Sequence, residues 1–305
     1  MIIKNGNDMS VPQWLTQFPE LDRDSLLWLR RTLDGAYRDF SRQYGEAIES
    51  FFDPLLSFLV HFEKLLLATP WWLIIAILAA LSYGASRSWK LSLCVVVAFF
   101  FIGYLGMWED TMRTMSIILV STFVAIILGV PTGVAMASSN RIQKIVTPLL
   151  DVMQTMPAFV YLIPIVMLLG IGKVPGLIAV VVYAIPPVIR LTNLGIRLVD
   201  KEVLEASTAF GANRIQRLFG VQIPLAMPNI MAGINQTIMM ALAMVVIASM
   251  IGVKGLGQPV LKSITNQYFT LGLLNGLAIV ALAIIFDRVT QSYAKRTQQH
   301  LGGKS

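Results

Sequence analysis

The sequence predicts an all-α fold, a polytopic bundle of about seven membrane-spanning helices, and two observations carry the prediction. Apolar residues make up 56% of the 305 residues and charged residues only 13%, about half the charged share of an ordinary soluble domain. The apolar residues are also gathered into runs such as LCVVVAFFFIGYLG and MMALAMVVIASMIG. Such runs approach the length of about 20 residues that crosses a hydrocarbon core of about 30 Å.

The N-terminal residues 1–66 differ from the rest, because they hold ten acidic and seven basic residues. Their apolar residues recur every three or four positions, which predicts an amphipathic helical tail. We expect this helix to be interrupted at Gly45 and Pro54 and to lie in the membrane interface or on neighbouring spans. The segment 55–67 is short and carries Glu63, so no span is predicted there.

Seven apolar segments follow, and each is predicted to be one membrane span. They cover 71–86, 89–107, 112–137, 145–170, 174–192, 224–251 and 271–289. We assign 67–107 to peripheral transmembrane helices, 108–290 to a core that contains the long loop 193–223, and 291–305 to a C-terminal tail.

The connecting stretches divide into two alternating sets with unequal positive charge. One set, with the C-terminal tail, holds thirteen Lys and Arg residues and the other holds four. Cytoplasmic loops carry the excess of Lys and Arg, so the first set is predicted to be cytoplasmic. Seven spans then place the N-terminus outside and the C-terminus in the cytoplasm.

Motifs and composition exclude other classes of protein. In a membrane protein the net charge of +7 reflects basic cytoplasmic loops rather than nucleic-acid binding. Cys94 is the only cysteine, so no intrachain disulfide forms. His61 and His300 lie far apart, which argues against a metal site, and GIGKVPG lacks the spacing of a phosphate-binding loop. We therefore predict no catalytic residue, metal or cofactor in this chain.

The loop 193–223 has the pattern of a helix–turn–helix hairpin. Asp200 is a suitable N-cap for a first short helix, and Gly211 supplies the left-handed geometry that ends it. Apolar residues gather on one side of the two short helices, at Val199, Val203, Ala206, Phe210, Ile215, Leu218 and Phe219. An apolar surface beside the membrane favours contact with lipid or with a protein partner.

Within this loop, Glu205-Ala206-Ser207, then Gly211 and Val221-Gln222-Ile223-Pro224, resemble the EAA loop of ABC-importer permeases. Every spacing of that pattern is kept, with Ser, Val and Ile as mild replacements. In that family the loop forms coupling helices that sit in a cleft of the ATP-hydrolysing subunit. The resemblance implies an ATPase-coupling role for Glu205, Ala206, Ser207, Gly211 and Pro224.

Longer runs in 149–176, 185–196 and 224–261 resemble the permease subunit of glycine betaine, proline betaine and choline importers. This resemblance covers about residues 85–290. It implies the ABC type I importer fold in a bacterial inner membrane, and a quaternary ammonium osmolyte delivered by an external binding protein. It also implies a second permease copy and two ATP-binding subunits, which bind ATP and magnesium in place of this chain.

Polar residues inside the predicted spans have two interpretations. Asp151, Gln154 and Thr155 fall in the fourth span, followed by Tyr161, and Asn235 and Gln236 fall in the sixth. Hydrogen bonds between helices would stabilise the bundle, whereas a lining for a translocation path would accept a small zwitterion or cation. For Asp151, an aqueous path, a gate or an arginine partner is the better explanation of a charge.

Other functional classes require features that the sequence lacks. A secondary carrier or channel would show inverted repeats and ion-binding carboxylates in its spans, and we find no repeat and assign only Asp151 to a span. An intramembrane enzyme would require a catalytic partner for Asp151. Transport of another small amino-acid-like solute remains open.

Overall fold

The computed structural model describes residue 18 and residues 20–300, and every regular element within them is helical. Parts of both predicted tails, 1–17 with 19 and 301–305, lie outside the described residues. Contacts divide the chain into two units, 1–48 and 49–305. The described residues of the first unit are mostly exposed, whereas the second holds the hydrophobic core.

The helices are numbered here in chain order. They are α1 (Arg23–Ala68), α2 (Trp71–Ser86), α3 (Trp89–Tyr104), α4 (Trp108–Ser138), α5 (Asn140–Thr155), α6 (Ala158–Leu169), α7 (Lys173–Ala184), α8 (Pro186–Arg197), α9 (Lys201–Ala209), α10 (Arg214–Arg217), α11 (Ile223–Ala248), α12 (Gly257–Asn266) and α13 (Phe269–His300). A π-helical turn, Leu218–Gln222, joins α10 to α11, and a 3₁₀ turn, Ser249–Ile251, follows α11.

The predicted interruptions of the N-terminal helix are wrong, because α1 continues through Gly45 and Pro54. Proline removes one backbone hydrogen bond, and a helix that is already nucleated adds the other bonds at little cost. Near its end, α1 buries Leu59 and Glu63. The Glu63 carboxylate is 2.6 Å from the Lys173 ammonium at the start of α7, so burial of this charge is compensated by an ion pair.

About seven spans are present, and they are less uniform than the sequence predicts. Within the described residues, four segments are long and apolar enough to cross alone: 108–138, 173–197, 214–251 and 269–294. Two helix pairs, α1 with α2 and α5 with α6, are long and apolar enough to cross only when each pair is counted as one span. The pairs are bent by 108° and 101°. The shorter apolar helix α3 is the seventh segment.

The predicted span over 145–170 is not one continuous helix, since the chain turns sharply at Met156 and Pro157. Met156 is extended, with φ −67° and ψ 134°, because a following proline disfavours helical geometry in the residue before it. Pro157 then begins a new helix. We call α5, this bend and α6 together the elbow (residues 140–169).

The helices that carry the long loop are held by close backbone contacts. A Cβ atom at Gly133 of α4 would lie 2.6 Å from Cβ of Thr192 in α8, and one at Gly195 of α8 would lie 2.7 Å from Cβ of Asn229 in α11. Small residues let helices approach this closely in a membrane. Helix α8 is therefore packed between α4 and α11, and any force on its end reaches both.

Candidate functional site

The first helix of the loop is defined by its own side chains at both ends. The Asp200 carboxylate accepts a hydrogen bond from the Glu202 backbone N–H at 2.9 Å, as the sequence predicts for an N-cap. At the other end, the N–H groups of Gly211 and Ala212 donate to the carbonyls of Thr208 and Ser207 at 2.9 and 3.1 Å. These two bonds form a Schellman motif, which ends a helix.

Gly211 has the left-handed conformation that this motif requires. Its φ is +82°, and a Cβ atom built there would meet nothing within 4 Å. A side chain at this position would therefore be opposed by backbone strain alone, which is about 1–2 kcal/mol for an L residue. The predicted turn is confirmed.

The second helix is short and is stabilised by its caps. The Asn213 side chain accepts from the Gln216 N–H at 2.8 Å, and the Gln216 side chain accepts from the Asn213 N–H at 2.9 Å. This reciprocal pair is a capping box. Arg217 donates to the Thr208 hydroxyl at 3.2 Å and so joins the second helix to the first. We call residues 200–222 the hairpin.

A widened turn connects the hairpin to α11. The Ile223 N–H donates to the Leu218 carbonyl, five residues back. Pro224 follows and has no N–H to give the Gly220 carbonyl. The π-helical turn removes the crowding that an α-helical ladder would produce between this carbonyl and the proline ring. Pro224 thus determines how the hairpin enters α11.

Large apolar side chains of the hairpin are exposed. Phe210 is 93% exposed, Ile215 69% and Phe219 65%. Glu205 is also exposed and lines a shallow cavity of about 330 Å³ with Thr208 and Arg217. The hairpin is ordered by its own hydrogen bonds, but its apolar side chains remain exposed to solvent. Such a surface is typical of a protein–protein contact.

The structure places the five predicted coupling residues on this hairpin or at its exit. Glu205 and Ala206 are exposed, and Ser207 is half-buried and donates to the Leu204 carbonyl at 2.8 Å. Gly211 forms the turn, and Pro224 lies at the start of α11. Their coupling role stays a prediction.

Only residues 198 and 199 separate the hairpin from α8, and the end of α8 is anchored by Arg197. One Arg197 nitrogen donates to both the Met136 carbonyl and the Asn140 side chain at 2.8 Å. Another donates to Asn193 at 3.0 Å. The arginine therefore fixes α8 to the end of α4 and the beginning of the elbow.

A second arginine of α8 contacts the elbow directly. Arg190 donates to the Asp151 carboxylate at 2.5 Å, between side chains that are 36% and 57% exposed. The arginine partner that the sequence suggests for Asp151 is present. Gln154 and Thr155 are exposed on the same helix. All three belong to α5, before the bend.

Tyr161 stabilises the bend of the elbow. It is buried in α6, its hydroxyl donates to the Met153 carbonyl of α5, and its ring packs edge-on against Tyr183 at 6.0 Å. The hydrogen bond crosses the break at Pro157 and so fixes the angle between the two helices. A role in the translocation path stays a prediction for Tyr161.

The two polar residues of α11 have different surroundings. Asn235 donates to the Asp287 carboxylate at 2.8 Å and accepts from Thr290, while Gln291 donates to the same carboxylate at 2.6 Å. This network joins α11 to α13, as in the interhelical interpretation. Gln236 is exposed and remains a candidate for the path.

Sequence reasoning missed several of these partners. Asp287 lies inside the predicted span 271–289 and is a second intramembrane carboxylate, so the assignment of Asp151 alone was wrong. Glu63, a charge that argues against a span at 55–67, is buried and paired. Arg190 lies inside the predicted span 174–192 and is the partner of Asp151. Each pair joins residues 39 to 110 positions apart, and local periodicity carries no signal over such separations.

The fold and the hairpin define a helical membrane protein with an exposed loop suited to a protein partner. Residues 125–299 match the family of binding-protein-dependent transport system inner membrane components. The match covers more than half of the chain, and the chain belongs to this family.

Relatives carry consistent names. The chain is 49% identical over 234 residues to the glycine betaine/proline betaine transport system permease protein ProW of Escherichia coli, covering 77% of this chain and 66% of that protein. It is 47% identical over 232 residues to the glycine betaine/carnitine transport permease protein GbuB of Listeria monocytogenes, covering 75% and 82%. The matched region thus spans slightly less than two thirds of ProW.

A solved structure shows the same fold. A chain of the MetNI methionine ABC transporter superposes with a TM-score of 0.56 at 19% identity, covering 61% of this chain and 93% of that one. The predicted all-α bundle of the ABC type I importer permease class is confirmed. At this identity the likeness concerns architecture alone.

Proposed function

We propose that this chain is the membrane-spanning permease subunit of an ATP-driven importer of quaternary ammonium osmolytes. The substrate is glycine betaine, proline betaine or choline, delivered by an external binding protein. The hairpin is the observation that carries the proposal, because it presents an exposed apolar surface on a well-ordered loop at the end of a tightly packed helix. The substrates for which ProW and GbuB are named support the substrate class.

The partners follow from the same reasoning. Two copies of this chain assemble with two ATP-binding subunits, and those subunits bind ATP and magnesium, so this chain is not itself an enzyme. The hairpin surface around Glu205, with the exposed Phe210, would sit in a cleft of the ATP-binding subunit. Across such a contact, the Glu205 carboxylate is available for a charge-assisted hydrogen bond.

The orientation follows from the charge count. The hairpin, with Arg214 and Arg217, and the C-terminal end of α13 lie in the cytoplasm, and the N-terminus lies outside. The ATP-binding subunits therefore approach from the cytoplasmic side, whereas the binding protein approaches the opposite ends of the helices.

The contacts of α8 suggest how movement reaches the membrane. Closure of the ATP-binding subunits displaces the hairpin, and the close packing at Gly133 and Gly195 makes α8 move as a rigid element. Arg197 and Arg190 transmit this movement to the elbow, through Asn140 and Asp151.

Asp151 thus acts as a positioning residue of a cytoplasmic gate. Gln154, Thr155 and Gln236 are available to face the translocation path.

Reconstitution tests this function. The permease is purified with its ATP-binding subunits and placed in liposomes with its binding protein. We expect uptake of radiolabelled glycine betaine, proline betaine or choline that requires both ATP and the binding protein, with methionine as the control solute. Uptake that persists without ATP or without the binding protein would identify a carrier or channel instead.

A further inference from the structure

An apolar groove lies between α3 and α13, far from the hairpin in sequence. It encloses about 680 Å³, and its lining runs along α3 from Trp89 to Leu105 and along α13 from Leu274 to Ala281. Because a helix rises about 1.5 Å per residue, the α3 side of the groove is roughly 25 Å long and the α13 side roughly 10 Å. The length of the α3 side is comparable with the hydrocarbon thickness of about 30 Å.

Small residues make the groove deep. Ala98 of α3 and Ala278 and Ala281 of α13 are among its lining residues, while Val97 and Leu277 are more than half exposed beside it. Apart from Lys90 at one end, its lining residues have apolar or aromatic side chains. In a protein that spans the membrane, such a groove faces hydrocarbon, and an acyl chain fits it.

Positive charge is concentrated at one end of this groove. Lys90 lines it, next to the exposed Trp89, and Arg87 lies three residues before Lys90. Arg296 donates to the Gly84 carbonyl at 2.9 Å, which places a third cation at the turn between α2 and α3. Among the described residues, none of the three cations forms an ion pair with a carboxylate.

We propose that this groove binds a phospholipid with an anionic headgroup. The acyl chain lies over the alanines, the Trp89 ring sits at the interfacial level, and the headgroup phosphate meets Lys90 and its neighbouring cations. Basic sites between transmembrane helices bind anionic lipids in this way. The bound lipid fills the space between two helices that otherwise touch weakly, and it thereby stabilises the peripheral helices against α13.

Native mass spectrometry of the purified transporter complex tests whether the groove prefers a lipid with an anionic headgroup. The complex is titrated with phosphatidylglycerol and with phosphatidylcholine. We expect one lipid site per permease with at least fivefold preference for phosphatidylglycerol, and a Lys90→Gln variant that loses about fivefold in affinity for it. Lys262→Gln, which removes an exposed lysine elsewhere, keeps the preference. Equal binding of both lipids to the unaltered protein would overturn the proposal.

Substitutions that fill the groove test whether the lipid binds there. Ala98→Leu with Ala281→Leu adds bulk to the groove and should reduce binding of both lipids at least tenfold, whereas Ala80→Leu on the exposed face of α2 should not. Cys94 lines the groove and is exposed, so phosphatidylglycerol should slow its alkylation. Unchanged lipid binding in the filled variant contradicts the proposal, and so does a Cys94–Cys94 disulfide between copies, which would show a second chain in the groove.

Discussion

The hairpin and the elbow are both interruptions between apolar helices, but they are built in opposite ways. In the hairpin, the groups that fix the backbone are near neighbours in sequence: Asp200 with Glu202, Asn213 with Gln216, and the turn at Gly211. In the elbow, Pro157 breaks the helix, and the bend is held by the bond from Tyr161 to Met153 across the break and by the pair of Asp151 with Arg190 of α8. The hairpin is thus locally encoded, and the elbow depends in part on a neighbouring helix.

This difference assigns different roles to the two regions. A locally encoded loop keeps its shape while it moves against another protein. A segment held by a few distant hydrogen bonds changes its angle when those bonds shift. The hairpin therefore suits the transmission of force, and the elbow suits a gate that responds to it.

The largest effect is expected from a change in the hairpin turn. Gly211→Val should reduce both uptake and substrate-stimulated ATP hydrolysis about five- to thirtyfold, because left-handed geometry costs an L residue about 1–2 kcal/mol. Gly220→Val is the matched control, since Gly220 also has open space around it but a negative φ. Normal uptake by a well-expressed Gly211→Val variant would contradict the role of the turn.

A smaller effect is expected at the exposed carboxylate. Glu205→Ala should weaken the affinity of the permease for its ATP-binding subunit about tenfold, as expected for loss of one charge-assisted hydrogen bond. Substrate preference should not change. Glu202→Ala removes a neighbouring exposed glutamate from the same helix and serves as the control. If both variants assemble equally well, Glu205 has no specific contact.

In the elbow, the ion pair should matter less for stability than for coupling. Asp151→Asn should lower uptake about three- to fivefold while ATP hydrolysis continues, because a partly exposed pair contributes about 1 kcal/mol at most. The charge exchange Asp151→Arg with Arg190→Asp should restore part of the uptake. Lys144→Gln on the same helix is the control. Equal losses of uptake and hydrolysis, with no recovery on exchange, would assign the pair a purely structural role.

The smallest effect is expected at the tyrosine that fixes the bend. Tyr161→Phe removes one hydrogen bond, worth about 1 kcal/mol, and should lower Tm by about 2–4 °C. Uptake should change little, since the ring and its packing against Tyr183 remain. Thermal unfolding in detergent measures the shift. A Tm equal to that of the unaltered protein would show that the hydroxyl does not hold the elbow.

The same contrast explains how much the sequence predicts. The hairpin follows from capping and turn rules that act within about five residues, so its N-cap, its glycine turn and its exposed apolar side are all predictable. The seven apolar segments follow from hydropathy. The bend at Pro157 is visible only as a proline, because an isolated proline is compatible with either a kink or a break. Whether the chain bends sharply there depends on the contact of Asp151 with Arg190 and on that of Tyr161 with Met153.

The partners of Glu63 and Asp287 are unpredictable for a related reason. The end of α1 brings Glu63 to Lys173, and the packing of α13 against α11 brings Asp287 to the side-chain amide of Asn235. Each charge is tolerated only because its partner arrives from another part of the chain. A charge in or near a hydrophobic segment therefore indicates a partner without identifying it.

In the assembled transporter, we expect an ATP-binding subunit to cover the hairpin. In a Cys94→Ser background, Phe210→Cys is treated with an impermeant maleimide in inside-out membrane vesicles. We expect rapid labelling of the permease alone and strong protection when the ATP-binding subunit is co-expressed. Arg141→Cys, exposed on α5 outside the hairpin, should be labelled in both cases. Unprotected labelling of Phe210→Cys in the assembled complex, or its labelling from outside intact cells, would contradict the account.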